Sequence, residues 1–173
     1  VELPDIFTHI HPDMHALAIW TVIRPFLGSR LRLPFAVSRT FAQGMRARVG
    51  VVFPKVDGGL APRKPPAHPR PGLLFSGGMD SVAASLVMPR GTVHLFMDRI
   101  PHLESAKPGS LVDLVLSRAV CQRLQKAGKK VFMIREDHEN LFSPYPLWHS
   151  DVSRLPALYL ADSLQLTGFD QGP

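Results

Sequence analysis

The sequence predicts an α/β fold, with a Rossmann-like parallel sheet and flanking helices behind a small, mainly helical N-terminal appendage. Three apolar runs of strand character alternate with segments of helical pattern: 73–75, 92–97 and 131–134. A stretch rich in glycine and proline separates this part from the chain before it. We therefore divide the 173 residues into an appendage (1–56), a linker (57–71) and an α/β domain (72–173).

Composition sets limits on the class of protein. A hydrophobic content of 45% over 173 residues is enough for a real core. The formal charge of +6 suits a polyanionic partner, although ordinary solubility explains it too. With Cys121 as its one cysteine, the chain can form neither an internal disulfide nor a cysteine-based metal cluster. The longest apolar stretch, Ala16–Ile23, is too short to span a membrane, so we expect a cytoplasmic protein.

The appendage contains two helical patterns and one strand pattern. Asp13 is placed to cap a helix that continues to about Phe26, and Ser38 is placed to cap a second helix toward Arg48. The run 49–53 has strand character. Arginines are frequent here, and a solvated basic face is the favoured interpretation of them: Arg24, Arg30, Arg32, Arg39, Arg46 and Arg48.

The α/β domain begins with the strand Leu73–Phe75 and continues through a helix that ends before Pro89. A helix capped by Ser110 and Asp113 follows the second strand and runs to about Ala127. Its predicted apolar stripe is Val112, Val115, Leu116, Ala119, Val120 and Leu124, with Gly128 as the stop signal. After the third strand, a last helix starts near Ser153, and 166–169 has the pattern of a fourth strand.

The hexapeptide Ser-Gly-Gly-Met-Asp-Ser at 76–81 is the most informative pattern in the chain. It follows an apolar strand and precedes a helical segment, so it lies beside a helix N-terminus. Adjacent glycines allow a sharp turn that presents several N–H groups to one anion, and the serine hydroxyls add donors. The helix dipole favours phosphate at the same place. The plain alternative is a serine–glycine turn that only connects two elements.

These residues resemble the SGGxDS signature of the PP-loop ATP pyrophosphatases, the adenine nucleotide alpha hydrolase-like superfamily. All five fixed positions match, in the expected strand–loop–helix context: Ser76, Gly77, Gly78, Asp80 and Ser81. The Walker A pattern is absent, because no glycine–lysine pair is followed by serine or threonine. The resemblance covers roughly residues 72–170, and we expect the family's C-terminal portion to be missing or replaced.

The resemblance implies a site for ATP and Mg²⁺ at the carboxyl ends of the parallel strands. The loop holds the pyrophosphate, and the end of the second strand contacts adenine, partly through backbone groups. The implied nucleotide-binding residues are Phe75, Ser76, Gly77, Gly78, Met79, Asp80, Ser81, Phe96, Met97 and Asp98. Asp80 is the implied metal ligand, because Mg²⁺ prefers carboxylate and phosphate oxygens.

The resemblance also implies a reaction, in which a carbonyl or carboxylate oxygen is adenylated and pyrophosphate is released. A nucleophile then displaces AMP, while the protein positions the groups and neutralises charge on the phosphates. Asp80 and Ser81 are the implied catalytic residues of the loop. A cation near the pyrophosphate is required, and Arg135 and Arg99 follow predicted strands, although a surface position is the simpler interpretation of each.

Histidines and the cysteine offer weaker signals. His9, His11 and His15 have metal-like spacing, but surface or packing roles explain them more simply. His138 and His149 flank a proline-containing loop that fits either a substrate lid or a plain connection. Cys121 falls at the flank of the predicted apolar stripe, where a buried structural cysteine is the default.

The sequence therefore favours an ATP-dependent ligase or transferase that cleaves between the α and β phosphates. Amide or C–N bond formation and nucleoside modification are the reactions considered. The single cysteine weighs against sulfur transfer to tRNA and against a 7-cyano-7-deazaguanine synthase. Two alternatives stay open, an adenine-nucleotide-binding module without catalysis and a basic adaptor that binds RNA or tRNA. The acceptor substrate and assembly into a homo-oligomer also stay open.

Overall fold

The computed structural model describes residues 9–99, 114–136 and 154–171. They divide into two compact units, residues 9–65 and the described residues from 66 onward. Among the residues described, no helix is both long enough and apolar enough to cross a bilayer.

The unit 9–65 contains two helices and a short parallel strand pair. Helix α1 (Pro12–Ile23) passes into a 3₁₀ turn (Arg24–Phe26), which is followed by β1 (Val37–Ser38), α2 (Arg39–Val49) and β2 (Val56–Asp57). The α-helix therefore ends earlier than the predicted Phe26, at the residue before Arg24-Pro25, and Pro25 lacks the N–H that would continue it. Side chains from both helices and from the connecting segments form its core: Ala16, Leu31, Leu33, Val37, Met45, Val51 and Phe53.

The cap of α1 differs from the predicted one, whereas the cap of α2 is the predicted residue. His11, not Asp13, caps α1, and its Nδ1 accepts a hydrogen bond from the Asp13 N–H at 3.2 Å. The buried Asp13 carboxylate instead accepts from the backbone N–H and the hydroxyl of Ser38, at 2.8 and 2.6 Å. Ser38 caps α2 as predicted, because its Oγ accepts from the Phe41 N–H at 3.2 Å. Asp13 thus connects the start of α1 to the start of α2.

The predicted strand over 49–53 is wrong. Val49 is the last residue of α2, and Gly50 adopts φ +72°, the left-handed conformation that ends many helices. Beyond it, Val52 forms an isolated bridge with Arg30. Val51 and Phe53 are buried while Val52 is exposed, and this alternation produced the strand-like pattern without a strand.

The second unit is built on a sheet of four parallel strands among the described residues. They are β3 (Arg70–Phe75), β4 (Val93–Arg99), β5 (Lys130–Glu136) and β6 (Leu166–Gln171), in the spatial order β5-β4-β3-β6. The three predicted strands and the fourth one are confirmed, as is their parallel pairing. β3 is an interior strand, because it pairs with β4 on one side and β6 on the other.

Helices α3 (Met79–Val87) and α4 (Leu114–Lys126) pack on one face of this sheet. The shared core is formed by Leu73, Phe75, Phe96, Cys121 and Val131. Leu74 and Leu95 alternate to the opposite face and are buried as well, so both faces of the sheet are covered. Helix α5 (Leu155–Leu160) begins close to the predicted start, while Ser153 and the predicted cap at Ser110 and Asp113 lie outside the described residues.

Helix α4 is rotated relative to the predicted stripe, of which Val120 and Leu124 do pack against the core as predicted. Val115 and Leu116 are 76% and 60% exposed, whereas Ser117 and Cys121 are the buried residues of the helix. Cys121 therefore lies in the core, which confirms the expected buried cysteine, although it is central to the buried face of α4 and not at its flank. Ser117 packs closely against Gly77, where a Cβ would leave no room for it, so this contact lies on the face of α4 that turns inward. Gly128 ends the turn after α4 with φ +80°, as predicted.

Candidate functional site

The strand order places the loop 76–81 at a distinctive point of the sheet. From β3 the chain moves outward to β4 and β5, and it then returns to β6 on the other side of β3. The direction of winding therefore reverses at β3, and the loop follows the carboxyl end of that strand. In open α/β sheets, ligands bind in the crevice at such a reversal.

Hydrogen bonds within the loop fix its shape. The Ser81 hydroxyl donates to the Gly78 carbonyl at 2.9 Å and accepts from the Ser76 hydroxyl at 3.1 Å. Ser76 Oγ also accepts from the Gly78 N–H at 3.3 Å. Ser81 is buried and Ser76 is exposed, so one serine anchors the loop while the other stays accessible to a ligand.

The two glycines have different structural roles. Gly77 adopts φ +80°, and a Cβ built there would lie 2.8 Å from Ser117 Cβ and 2.9 Å from Ser117 Oγ. It therefore needs both a left-handed backbone and close contact with α4. Gly78 has an ordinary extended backbone, and a Cβ there would meet Ser76 Oγ at 3.4 Å, a normal contact. The sequence pattern gave no reason to distinguish the two glycines, whereas the structure separates Gly77, which packs against α4, from Gly78, which is exposed.

Gly78 is the N-cap residue of α3, and no side chain caps this helix by a hydrogen bond. The first turn of α3 contains the exposed residues Met79 and Asp80. The backbone N–H groups of a first helical turn have no partner within the helix, and the helix dipole adds partial positive charge there. The open helix start, the accessible Ser76 hydroxyl and the nearby carboxylate fit a phosphate group with its magnesium ion.

A cation that sequence reasoning missed lies at the same edge of the sheet. Arg118 of α4 donates from Nε to Asp98 Oδ1 at 2.8 Å, and its Nη2 lies 2.7 Å from the same oxygen. Asp98 is buried at the end of β4, while Arg118 remains about half exposed. Because Ser117, the preceding residue, contacts Gly77, α4 brings this guanidinium to the region of the loop. Arg118 lies outside the predicted apolar stripe of α4, so no local pattern in the sequence marked it.

The other predicted site residues have varied positions. Phe75 and Phe96 are buried in the core, so only their backbone groups can reach a ligand, while Met97 is half-buried. Arg135 is exposed on β5 at the position that pairs with Asp98, so it lies near the same edge. Arg99 ends β4, and its side chain lies outside what the structure describes.

A buried histidine beneath α3 was also missed. His94 Nε2 lies 2.7 Å from Ser85 Oγ, and its Nδ1 lies 3.2 Å from the Lys130 carbonyl. The carbonyl can only accept, so Nδ1 carries the proton and Nε2 accepts from Ser85. Burial lowers the pKa of His94, which keeps the ring neutral. Ser85 lies one turn after Ser81 on α3, so this contact helps to hold the helix that carries the loop.

The remaining candidates have structural surroundings. Burial, with the Asp98 charge second, raises the pKa of the Cys121 thiol to about 11, which disfavours a reactive thiolate. His11 Nε2 lies 3.1 Å from the Ala61 carbonyl, and the His15 ring stacks on Phe35. Within the described ranges, no three His, Cys, Asp or Glu side chains are grouped to hold a metal. His138 and His149 lie outside the described residues.

No protein family model, curated protein or solved structure matches the chain, so its sequence and its own geometry are the basis for assigning a function.

Proposed function

We propose that this chain is a PP-loop-type protein that binds ATP with Mg²⁺ and adenylates a carbonyl or carboxylate oxygen of an acceptor. One observation carries the proposal. The complete signature loop, Ser76–Ser81, follows the carboxyl end of an interior parallel strand at the point where the strand order reverses. A serine–glycine connection has no need of that position, whereas a phosphate-binding loop does.

The groups at this edge supply the interactions that a triphosphate needs. The backbone N–H groups at the start of α3 bind phosphate oxygens, and the Ser76 hydroxyl joins them by turning its one proton from Ser81 to the phosphate. The exposed Asp80 holds Mg²⁺, in preference to Asp98, because Arg118 already neutralises the Asp98 carboxylate. Arg118 has donors left beyond this pair, and with Arg135 it stabilises the charge of the departing pyrophosphate.

In the proposed step, an oxygen of the acceptor attacks the α phosphorus of ATP. The bond between that phosphorus and the oxygen bridging to the β phosphate breaks, and pyrophosphate leaves with the bonding electron pair. The chain contributes orientation and charge stabilisation, because the fixed loop and α4 hold their donors in place before the reaction.

Calorimetric titration of the full chain with ATP and Mg²⁺ tests the binding site. We expect Gly78→Val to abolish binding, because its backbone accepts a side chain without strain while the added methyl groups block approach to the helix start. Ala83→Val is the control, since it places the same valine side chain, with two added methyl groups, on an exposed position of the same helix. Equal affinity for ATP in the wild type and in Gly78→Val would contradict the proposed role of the loop in binding phosphate.

Chromatography of labelled nucleotides tests the chemistry. AMP and pyrophosphate are the expected products, and ADP with phosphate would contradict adenylation. Arg118→Gln should lower turnover or ATP affinity at least tenfold, while Arg123→Gln, on the same helix, should leave both unchanged. Because Arg118→Gln leaves a buried carboxylate without its cation, the double variant with Asp98→Asn controls for misfolding. Tight ATP binding without turnover on any acceptor would indicate a non-catalytic nucleotide-binding module.

A further inference from the structure

The unit 9–65 is far more basic than the rest of the chain. It contains nine arginine and lysine residues but only two acidic residues, Asp13 and Asp57, a formal charge of about +7. Asp13 is buried and bonded to Ser38, so it contributes little to the surface. Asp57 can neutralise at most one of the cations. The unit therefore presents a strongly positive surface that attracts polyanions.

Part of this charge is arranged along an extended edge. Leu31 and Leu33 are buried in the core of the unit, so Arg30 and Arg32 alternate outward on the same side, about 6.6 Å apart. Lys55 continues the edge, because its Nζ donates to the Pro34 carbonyl at 2.8 Å. We call Arg30, Arg32 and Lys55 the basic edge.

An exposed aromatic ring lies shortly before the basic edge in the chain. Phe26, in the 3₁₀ turn after α1, is 68% exposed. The guanidinium of Arg24, in the same turn, lies 5.8 Å from the centre of the Trp20 ring. The other phenylalanine and tryptophan side chains of residues 9–65 are buried or partly buried, so the open ring of Phe26 is exceptional in this unit. Cations that follow a phosphate backbone, with aromatic rings on which bases stack, are the two parts of a single-strand binding surface.

We propose that residues 9–65 bind single-stranded nucleic acid, with a base stacked on Phe26 and phosphates on the basic edge. This proposal does not depend on ATP binding at Ser76–Ser81. An anionic membrane is the other polyanion to consider, and it requires an amphipathic helix with a free apolar face. The apolar side chains of α1 and α2 pack into the core of the unit instead, including Ala16, Phe41 and Met45. Arginine predominates among the cations, and its planar group suits phosphate oxygens.

Fluorescence anisotropy of the full chain with a labelled 20-nucleotide RNA tests the proposal, alongside DNA of the same sequence and the RNA duplex. We expect the chain to bind both single-stranded molecules more tightly than the RNA duplex. The single strand with the lower Kd shows whether the surface prefers RNA or DNA. Phe26→Ala should weaken binding about 5- to 150-fold without changing the salt dependence, because stacking carries no charge. Arg30→Gln/Arg32→Gln should reduce the slope of log K against log salt by about 1.4.

The matched control is Arg123→Gln/Lys126→Gln, which removes two exposed charges from α4 in the other unit and should leave affinity nearly unchanged. All substituted side chains are exposed, so circular dichroism should show wild-type folding. Equal losses in the control and basic-edge variants would overturn the proposal, as would full affinity in Phe26→Ala or tighter binding to the duplex. Anionic phosphatidylserine vesicles that bind the chain and displace the RNA would indicate a membrane surface instead and would also overturn it.

Discussion

Replacing Gly77 by alanine should destabilise the α/β unit through two separate effects. The first is the backbone, because φ is +80° and a residue with a Cβ pays about 1–2 kcal/mol in the left-handed region. The second is overlap, because the new Cβ would lie 2.8 Å from Ser117 Cβ and 3.0 Å from its α-carbon, and overpacking of this kind costs about 1–3 kcal/mol. Reduced freedom of the unfolded chain offsets about 0.4–1 kcal/mol. The expected net loss is about 1–4.6 kcal/mol, with a midpoint near 3 kcal/mol.

Urea unfolding, monitored by thiol labelling, measures this loss of stability in the α/β unit. Cys121 is the one cysteine and is buried in the α/β core, so its reaction with a thiol reagent reports the opening of that core. Gly78→Ala is the control, because its backbone is extended and its Cβ would meet Ser76 Oγ at 3.4 Å. Only the small cost of an alanine N-cap is expected there, below about 1 kcal/mol.

Ser117→Gly separates the two effects. Combined with Gly77→Ala, it removes the side-chain atoms that cause most of the overlap, but it leaves the backbone strain and the close approach to the α-carbon of residue 117. The double variant should therefore be about 1–2 kcal/mol more stable than the sum of the single losses predicts. If Gly77→Ala cost no more than Gly78→Ala, or if the two substitutions were additive, the packing of the loop against α4 would not constrain the loop as argued.

Two further predictions concern buried ionisable groups. Burial lowers the pKa of His94 in the folded protein, so the unfolded state binds a proton on this histidine more readily. The contribution of neutral His94 to the free energy of unfolding is therefore complete above about pH 6.5. It is lost as the pH falls, by up to about 1.4 kcal/mol per pH unit. Urea unfolding at pH 5 and pH 7 should show a smaller difference for His94→Gln than for wild type, and identical differences would contradict this. Cys121, with its pKa raised to about 11, should react with a thiol reagent at pH 8 at least a hundredfold more slowly in the folded protein than in urea. Labelling of the folded protein at the rate of a free thiol would show that the core opens readily.

Local patterns predicted the α/β unit well because its strands are short, apolar and bounded by clear stop signals. Leu73–Phe75 is a continuous apolar run, as expected for a parallel strand covered on both faces, whereas Val131–Ile134 is equally apolar although Met133 on it is exposed. The loop at 76–81 was found by residue type alone, and its strand–helix context followed from the flanking patterns. Strand order did not follow, because the return of the chain to the far side of β3 depends on packing between distant segments.

The errors have a common physical origin, in that a contact between distant residues overrode a local preference. Asp13 is a residue type that often caps helices, but Ser38, 25 residues away, supplies two hydrogen-bond donors to its carboxylate. On α4, Val115 and Leu116 suit a core but are exposed, while Ser117 on the inward face packs against Gly77, 40 residues earlier in the chain. His94 resembled any polar residue in a strand, because its partners Ser85 and Lys130 come from other elements.

The arrangement around α4 explains how one helix affects two parts of the proposed site. Ser117 touches the backbone of the loop at Gly77, and Arg118, the next residue, is bonded to Asp98 at the end of β4. These contacts fix both the position and the rotation of the helix, because one is a steric limit and the other is a charged hydrogen bond. We therefore expect a larger residue at 117 to disturb both contacts together, the packing against Gly77 and the hydrogen bond from Arg118 to Asp98.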